Sequence, residues 1–436
     1  MNLAVGARSR QLPVVSIRTR PRAGPRDVFS VGADVATLFE DAALTASAVR
    51  LAGMADMTLQ RQIALASIPA PTGQEHERAA AVCAALRRAG MPDVRQDAAG
   101  NVIATRPATV DTRHASMRGA GPVVVMAHLD TVCDHGTLPA LREEGSRVLL
   151  PGIGDNGRGL AALVSIAHVL AEASLPLDGT DAIELVATVG EEGLGNLRGA
   201  RHYLDERARQ HAPVPRAVIA LDGPGDTLVV HHGIASRRWR ISYDGPGGHP
   251  WADTTAANAV HAAATAMAAI AQLSNAQPHG VRITMTRMGG GESLTSIPMH
   301  AWFDLDLRSL DPTAITRVSE TVRQTVTRAS DPWHPRMQLL GDRPGGSLDA
   351  SHPLVALAAA ATVWQGVSPQ SASASSDANA ALARGIPAIA IGAGGSGGGA
   401  HTEHEWYDDQ HGGRGLARAL GVIVGATRLQ ALAPRR

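Results

Sequence analysis

The stretch "DAIELVATVGEEGLGNLRGARHYLDERARQ", residues 181–210, decides how the chain is organised. It opens as an apolar run, breaks at two adjacent glutamates with glycine on both sides, and resumes with helical spacing. Strand, turn and helix in that order form the repeating unit of a layered α/β protein. The turn itself poses the functional question. Side chains alternate faces in a strand, so Glu191 and Glu192 at its end should point different ways. Either both acids are solvated in a surface turn, or they do two different jobs at one place.

Outward from this unit the same rhythm continues. "NVIATRP", "GPVVVMAHLD" and "RAVIALDG" read as strands and "GRGLAALVSIAHVLAEA" as a helix. Their alternation predicts an α/β layered sheet with a substantial parallel part. Upstream, residues 35–90 carry helical spacing, with Thr72 placed to cap a helix and Glu75 as its capping-box partner.

Downstream the rhythm changes. "ASRRWRISYDG" reads as a strand, "TTAANAVHAAATAMAAIAQLS" as a helix, "GVRITMTRMGG" and "MHAWFDLDLRS" as strands, "DPTAITRVSETVRQTVTRA" as a helix and "RMQLLGD" as a strand. That βαββαβ order predicts a ferredoxin-like α+β sandwich. After "GDRPGGS" the α/β pattern resumes. The expected organisation is a flexible arm at 1–34, a larger α/β domain from 35–232 and 343–436, and the smaller domain, 233–342, inserted into it.

Composition narrows the function. With 44% apolar and 18% charged residues the 436-residue chain is globular. Forty basic residues balance forty acidic ones, so no net field recruits nucleic acid or an anionic membrane. Every basic residue is arginine, which excludes lysine Schiff-base chemistry and a Walker-type phosphate loop. Cys83 and Cys133 are too few for a disulfide framework or a thiolate metal cluster. The arginine-rich start lacks the apolar block of a signal peptide, and Pro13, Pro21 and Pro25 interrupt any transit helix. Residues 254–281 carry no charge, but their Ala, Asn, His, Gln and Thr suit a packed helix better than a membrane span. A cytoplasmic protein is expected.

Five places share a feature: an acid or histidine just after an apolar strand or in a glycine-rich turn. They are His128 with Asp130, Asp155 in "GIGDNGRG", Glu191 with Glu192, Asp222 in "VIALDGPG" and His401 in "GGGAHTEHEW". Ligands of open α/β sheets collect beyond the carboxyl ends of the strands, so these groups are candidates for one shared site. Singly, each could cap a turn or be hydrogen-bonded structure. Together they have the chemistry of a paired-metal hydrolase, since imidazole nitrogen and carboxylate oxygen suit Zn²⁺ and an aspartate can span two ions. His128 and Asp130 lie two apart in an extended segment, so one can be a ligand while the other orients it. If Glu192 is a ligand, Glu191 can serve as general base toward a water acidified by the ions.

These motifs, with "GPGGHPW", "SLTSIP", "DLDLRS" and "SSDAN", occur in an order that resembles the dinuclear-zinc exopeptidases and deacylases. That family includes carboxypeptidase G, peptidase T, acetylornithine deacetylase and succinyl-diaminopimelate desuccinylase. The resemblance runs from about residue 59 to 426. It implies a zinc-exopeptidase-type catalytic domain with a lid and dimerisation domain inserted, and two Zn²⁺, with Co²⁺ or Mn²⁺ as substitutes. His128 and Asp222 would hold one ion and Glu192 and His401 the other, with Asp155 shared. Glu191 would be the general acid/base and Asp130 would position His128. His249 would stabilise the oxyanion, often at a partner subunit's site. Arg308 would bind a substrate carboxylate, and Asn379 would lie near the substrate.

The chain departs from the family at Thr295-Ser296, where an asparagine commonly precedes "IP", and at the usual lysine after the bridging aspartate, where Arg158 stands nearby. His231 and His232 read as structural or hinge residues. The expected activity is hydrolysis of an amide bond in a small peptide by a homodimer. An N-acyl amino acid deacylase and a non-catalytic binding relative are the alternatives.

Overall fold

The computed structural model describes residues 37–107, 121–132, 139–172, 175, 177, 182–253, 255–276 and 278–429. The arm expected at 1–34 and Cys133 lie outside them.

The main sheet grows from the apolar runs. Its strands are β1 (Asp93–Gln96), β2 (Val102–Arg106), β3 (Val123–His128), β6 (Ile183–Thr188), β7 (Ala217–Leu221), β8 (Leu228–Gly233), β13 (Gly346–Ser347), β14 (Gln370–Ala374) and β15 (Ala388–Ile391). They lie in the order β1-β2-β6-β3-β7-β15-β8-β13, with β14 also paired to β8. The neighbours β6, β3, β7 and β15 run parallel. Every residue of these four central strands is buried, and apart from Glu184 and the terminal His128 and Thr188 all of them are apolar. Helices Gly157–Glu172 and Gly412–Thr427 pack on one face in the largest core cluster, and helix Arg198–Arg209 covers the other.

The inserted unit is a four-stranded antiparallel sheet of β9 (Ala235–Asp244), β10 (Arg282–Gly290), β11 (His300–Ser309) and β12 (Arg336–Arg343). Its order, β10-β11-β9-β12, with helices Ala259–Ala276 and Pro312–Ala329 packed on one face, is ferredoxin-like. The second helix starts where Pro312 fixes its first turn and Asp311 accepts the Thr313 N–H at 2.8 Å. A third small sheet, β16 (Ser396–Gly398), β17 (Trp406–Asp408), β5 (Arg147–Leu149) and β4 (Arg142–Glu144), ties a late hairpin to an early one.

The capping box at Thr72 and Glu75 does not form. Helix His76–Arg88 begins too far along for Thr72 to reach its first N–H groups, and Glu75 occupies the cap position without a side-chain bond. Thr72 Oγ1 instead donates to Asp130 Oδ2 at 2.8 Å, and Glu75 Oε1 accepts the Gly73 N–H at 2.9 Å. No helix among the described residues is long and apolar enough to cross a membrane.

Candidate metal centre and active site

Because β6, β3 and β7 are parallel neighbours, their carboxyl ends open on one edge of the sheet. His128 is the last residue of β3, Asp222 directly follows β7, and the Glu191-Glu192 turn follows β6. Adjacent strands lie about 4.8 Å apart, so these residues converge. Two further groups arrive from loops of the third sheet. Asp155 follows β5, and His401 sits in the hairpin between β16 and β17.

Ligand atoms of His128, Asp155 and Glu192 all lie within 4.8 Å of one another. His128 Nε2 is 2.9 Å from Asp155 Oδ1 and 3.9 Å from Asp222 Oδ1. His401 Nε2 lies 3.1 Å from Asp155 Oδ2 and 2.9 Å from Glu192 Oε1. Asp155 therefore presents one oxygen to each histidine, the disposition of a group shared between two ions. All five residues that the sequence nominated as ligands meet here.

The paired glutamates have the divergent geometry that a strand end allows. Asp130 Oδ1 accepts the Glu191 N–H and Oδ2 the Glu192 N–H, both at 2.9 Å. Gly190 and Gly193, on either side, adopt φ of 63° and 48°, a left-handed conformation that glycine enters without strain. Glu192 turns to His401, whereas Glu191 Oε1 accepts from Arg343 Nη1 at 3.0 Å. His128 is fixed from behind by its own Nδ1, 2.9 Å from the Asp130 backbone oxygen. Asp130 thus holds the histidine and both glutamates in one arrangement.

The electrostatics are those of a cluster in need of cations. Burial, reinforced by the charge of Asp155, pushes Asp222 up to about 7. Burial also raises Glu191 well above the usual carboxylate range, opposed by the Arg343 and His128 charges. Hydrogen bonds to Asp155 and Glu192 lift His401 to about 10. Burial works against protonation of His128, yet bonds to Asp130 and Asp155 raise it well above its ordinary value. Three carboxylates and two imidazoles packed this closely repel or trap protons unless positive charge sits among them. Their hard oxygen and borderline nitrogen donors fit divalent ions.

The cluster floors a cleft of about 820 Å³ whose far wall is the open face of the four-stranded sheet, including Arg238, Asp306 and Arg308. Of the remaining sequence nominees, Arg308 lines this cleft, with Nε and Nη2 on Asp306 Oδ2 at 3.0 and 2.9 Å. His249 is exposed and outside the cleft lining, its Nδ1 accepting from the Trp251 and Ala252 N–H groups. Asn379 is buried outside the lining as well. Its Nδ2 donates to the carbonyls of Ile234 and Pro344, at 3.0 and 2.9 Å.

Arg158 is wholly buried and donates to the Ala393 and Gly412 carbonyls, a structural brace. His231 bridges the Leu348 carbonyl and Ser371, consistent with a structural residue.

Two of the residues that brace this cluster were not nominated from sequence. One is Arg343, described above. The other is Glu405, whose buried carboxylate accepts the N–H groups of Gly152, Gly154 and Asp155 at 2.5, 2.9 and 2.7 Å. Glu405 lies four residues after His401, so one carboxylate ties the two loops that carry Asp155 and His401. An acid beside tryptophan in "HTEHEW" was the available signal, obscured by the neighbouring Glu403 and His404.

A two-domain α/β fold with carboxylates and imidazoles converging at a domain cleft defines a metallohydrolase. The chain belongs to peptidase family M20/M25/M40, whose family model matches residues 124–423, more than half of its length. Comparison with curated protein sequences finds no match. Among solved structures, a tripeptidase from Staphylococcus aureus superposes with a TM-score of 0.69 at 19% identity, over 86% of this chain and 99% of its own. A dipeptidase from Saccharomyces cerevisiae gives 0.68 at 13% identity, over 89% and 99%. An amidase of the hydantoinase/carbamoylase family from Burkholderia vietnamiensis gives 0.65 at 17%, over 86% and 97%. At these identities the likeness establishes the fold.

Proposed function

We propose that this chain hydrolyses an amide bond in small peptides, as an exopeptidase of the di- or tripeptidase kind using two Zn²⁺, with Co²⁺ or Mn²⁺ as workable substitutes. The observation that carries the reading is the divergence of two adjacent acids, Glu192 into the ligand cluster and Glu191 toward Arg343. His128 and Asp222 would hold one ion and Glu192 and His401 the other, with Asp155 available to both. When bound, the ions supply Lewis-acid polarisation and acidify a water. Glu191 takes a proton from the attacking water and returns it to the leaving amine, while Asp130 keeps His128 and the glutamate turn in place. Arg308 recognises a substrate carboxylate, for which its planar fork is suited.

The inserted domain, taken as residues 233–342, acts as the lid and as the interface of a homodimer, and His249 serves the partner's site. A peptide substrate is preferred because a tripeptidase and a dipeptidase are among the fold's relatives, and a cleft of about 820 Å³ suits a short peptide. The amidase relative favours N-acyl amino acids as the second reading.

The test is metal analysis of the purified chain followed by assays on dipeptides, tripeptides and N-acyl amino acids. Two ions per chain with peptide turnover is the expected result. Turnover of N-acyl amino acids alone selects the deacylase, and bound metal without any turnover leaves a binding protein.

A further inference from the structure

The metal cleft does not end at Arg308. A second cavity of about 320 Å³ continues it over the open face of the lid sheet, and Arg238, Thr286 and Asp306 line both spaces. Leu194, beside the glutamate turn, closes it from the catalytic side. Arg238 stands at the junction, with Nη1 donating to the Gly193 carbonyl at 2.6 Å.

Two β-bulges shape this cavity. On β10 the register skips Thr286, so that Met285 pairs with Leu305 and Arg287 with Asp304. Unbroken alternation from Ile283 and Met285 would send residue 287 toward the helices; the extra residue re-aims Arg287 onto the open face. On β12 the register skips Leu340, with Leu339 opposite Trp239 and Gly341 opposite Arg238. Trp239 and Leu305 are themselves paired, so both outer strands bulge at one level of the sheet. Both extra residues, Thr286 and Leu340, line the cavity.

The charge on that face is unbalanced. Arg240 holds Asp304 through two bonds of 2.8 Å, and Arg287 Nε reaches the same carboxylate at 3.9 Å. Asp306 is likewise shared by Arg308 at 2.9 Å and Arg238 at 3.6 Å. Four guanidinium groups thus divide two carboxylates, leaving an excess of two positive charges. The Trp302 ring attracts both Arg240 and Arg287, whose guanidinium carbons lie 4.0 and 5.5 Å from its centroid. Arg287 keeps 68% of its side chain exposed, so its donors face whatever enters.

We infer that this bulge-framed cavity is a subsite for a second carboxylate of the substrate, an acidic side chain remote from the scissile amide and beyond the group that Arg308 reads. The inference rests on the amide-hydrolase reading of the cleft. A cavity of this size accepts one amino-acid side chain, and a guanidinium's planar fork can bind a carboxylate with two parallel bonds.

The experiment compares the metal-loaded chain on tripeptides of alanine carrying glutamate at each position in turn, each against its glutamine counterpart. At one position kcat/KM should favour glutamate by about tenfold, as expected for a charge-assisted contact. Arg287→Gln should bring that ratio close to one. Arg323→Gln, which removes the same charge from the exposed face of the lid helix, should leave the ratio in place. No preference for glutamate at any position, or an equal collapse in the Arg323 variant, would overturn the inference. If no tripeptide is cleaved, the peptidase reading fails by itself. Calorimetric titration of the same peptide pairs then decides the subsite: tighter glutamate binding lost in Arg287→Gln supports it, and equal binding refutes it.

Discussion

Arg343 Nη1 lies 3.0 Å from Glu191 Oε1, and each side chain is only 5% exposed. Burial drives the Glu191 pKa up, and the guanidinium is the largest influence opposing it. Arg343→Met removes that opposition. The acid limb of kcat/KM against pH should therefore move to higher pH, because Glu191 must be a carboxylate to accept a proton. A limb that stays in place would separate Arg343 from the general base.

Glu191→Ala should lower kcat by about 10²–10⁴-fold, the usual range for a positioned proton acceptor. Metal content should remain near two ions per chain, because Glu191 lies outside the ligand cluster. Metal analysis and turnover measured on one preparation check both halves.

Asp130→Asn leaves one acceptor oxygen where two N–H groups converge, and aims an amide N–H₂ at the other. Metal affinity or activity should fall about 10–100-fold, as when the support behind a metal-ligating histidine is cut. Metal retained after dialysis against a weak chelator is the measurement.

Glu405→Ala strands the N–H groups of Gly152, Gly154 and Asp155 in a buried turn. Each costs about 1–3 kcal/mol when left without an acceptor. A clear fall in Tm is expected, together with weaker metal binding.

The homodimer reading places His249 at a partner's site. Glu191→Ala and His249→Ala chains, each inactive alone, should regain roughly a quarter of wild-type activity after mixing and subunit exchange, from random pairing. A monomeric solution mass, or no recovery, counts against it.

The parts of this architecture that sequence made legible are those with local causes. The apolar runs ending at His128, Leu221 and Thr188 announce buried parallel strands, and residues just past such ends must collect at one edge. The βαββαβ order announces the inserted sheet by itself. What stayed hidden depends on distant partners. Glu191 and Arg343 are 152 residues apart, and Glu405 is 250 residues from Asp155. Thr72 shows the opposite error, because its local pattern matched a helix cap while its hydroxyl was taken by Asp130 in the loop after β3.

Asn379 bonds the carbonyls of Ile234 and Pro344, the points where the chain leaves for the four-stranded sheet and comes back. Next to them, Gly233 pairs with Gly346 and His232 with Ser347, so the outgoing and returning tethers lie side by side. Two adjacent tethers pinned by one amide oppose twisting and sliding of the whole upper unit. If the inserted domain works as the proposed lid, the motion these tethers leave easiest is a swing about a single axis, opening and shutting the mouth above Asp155 over a floor that stays still.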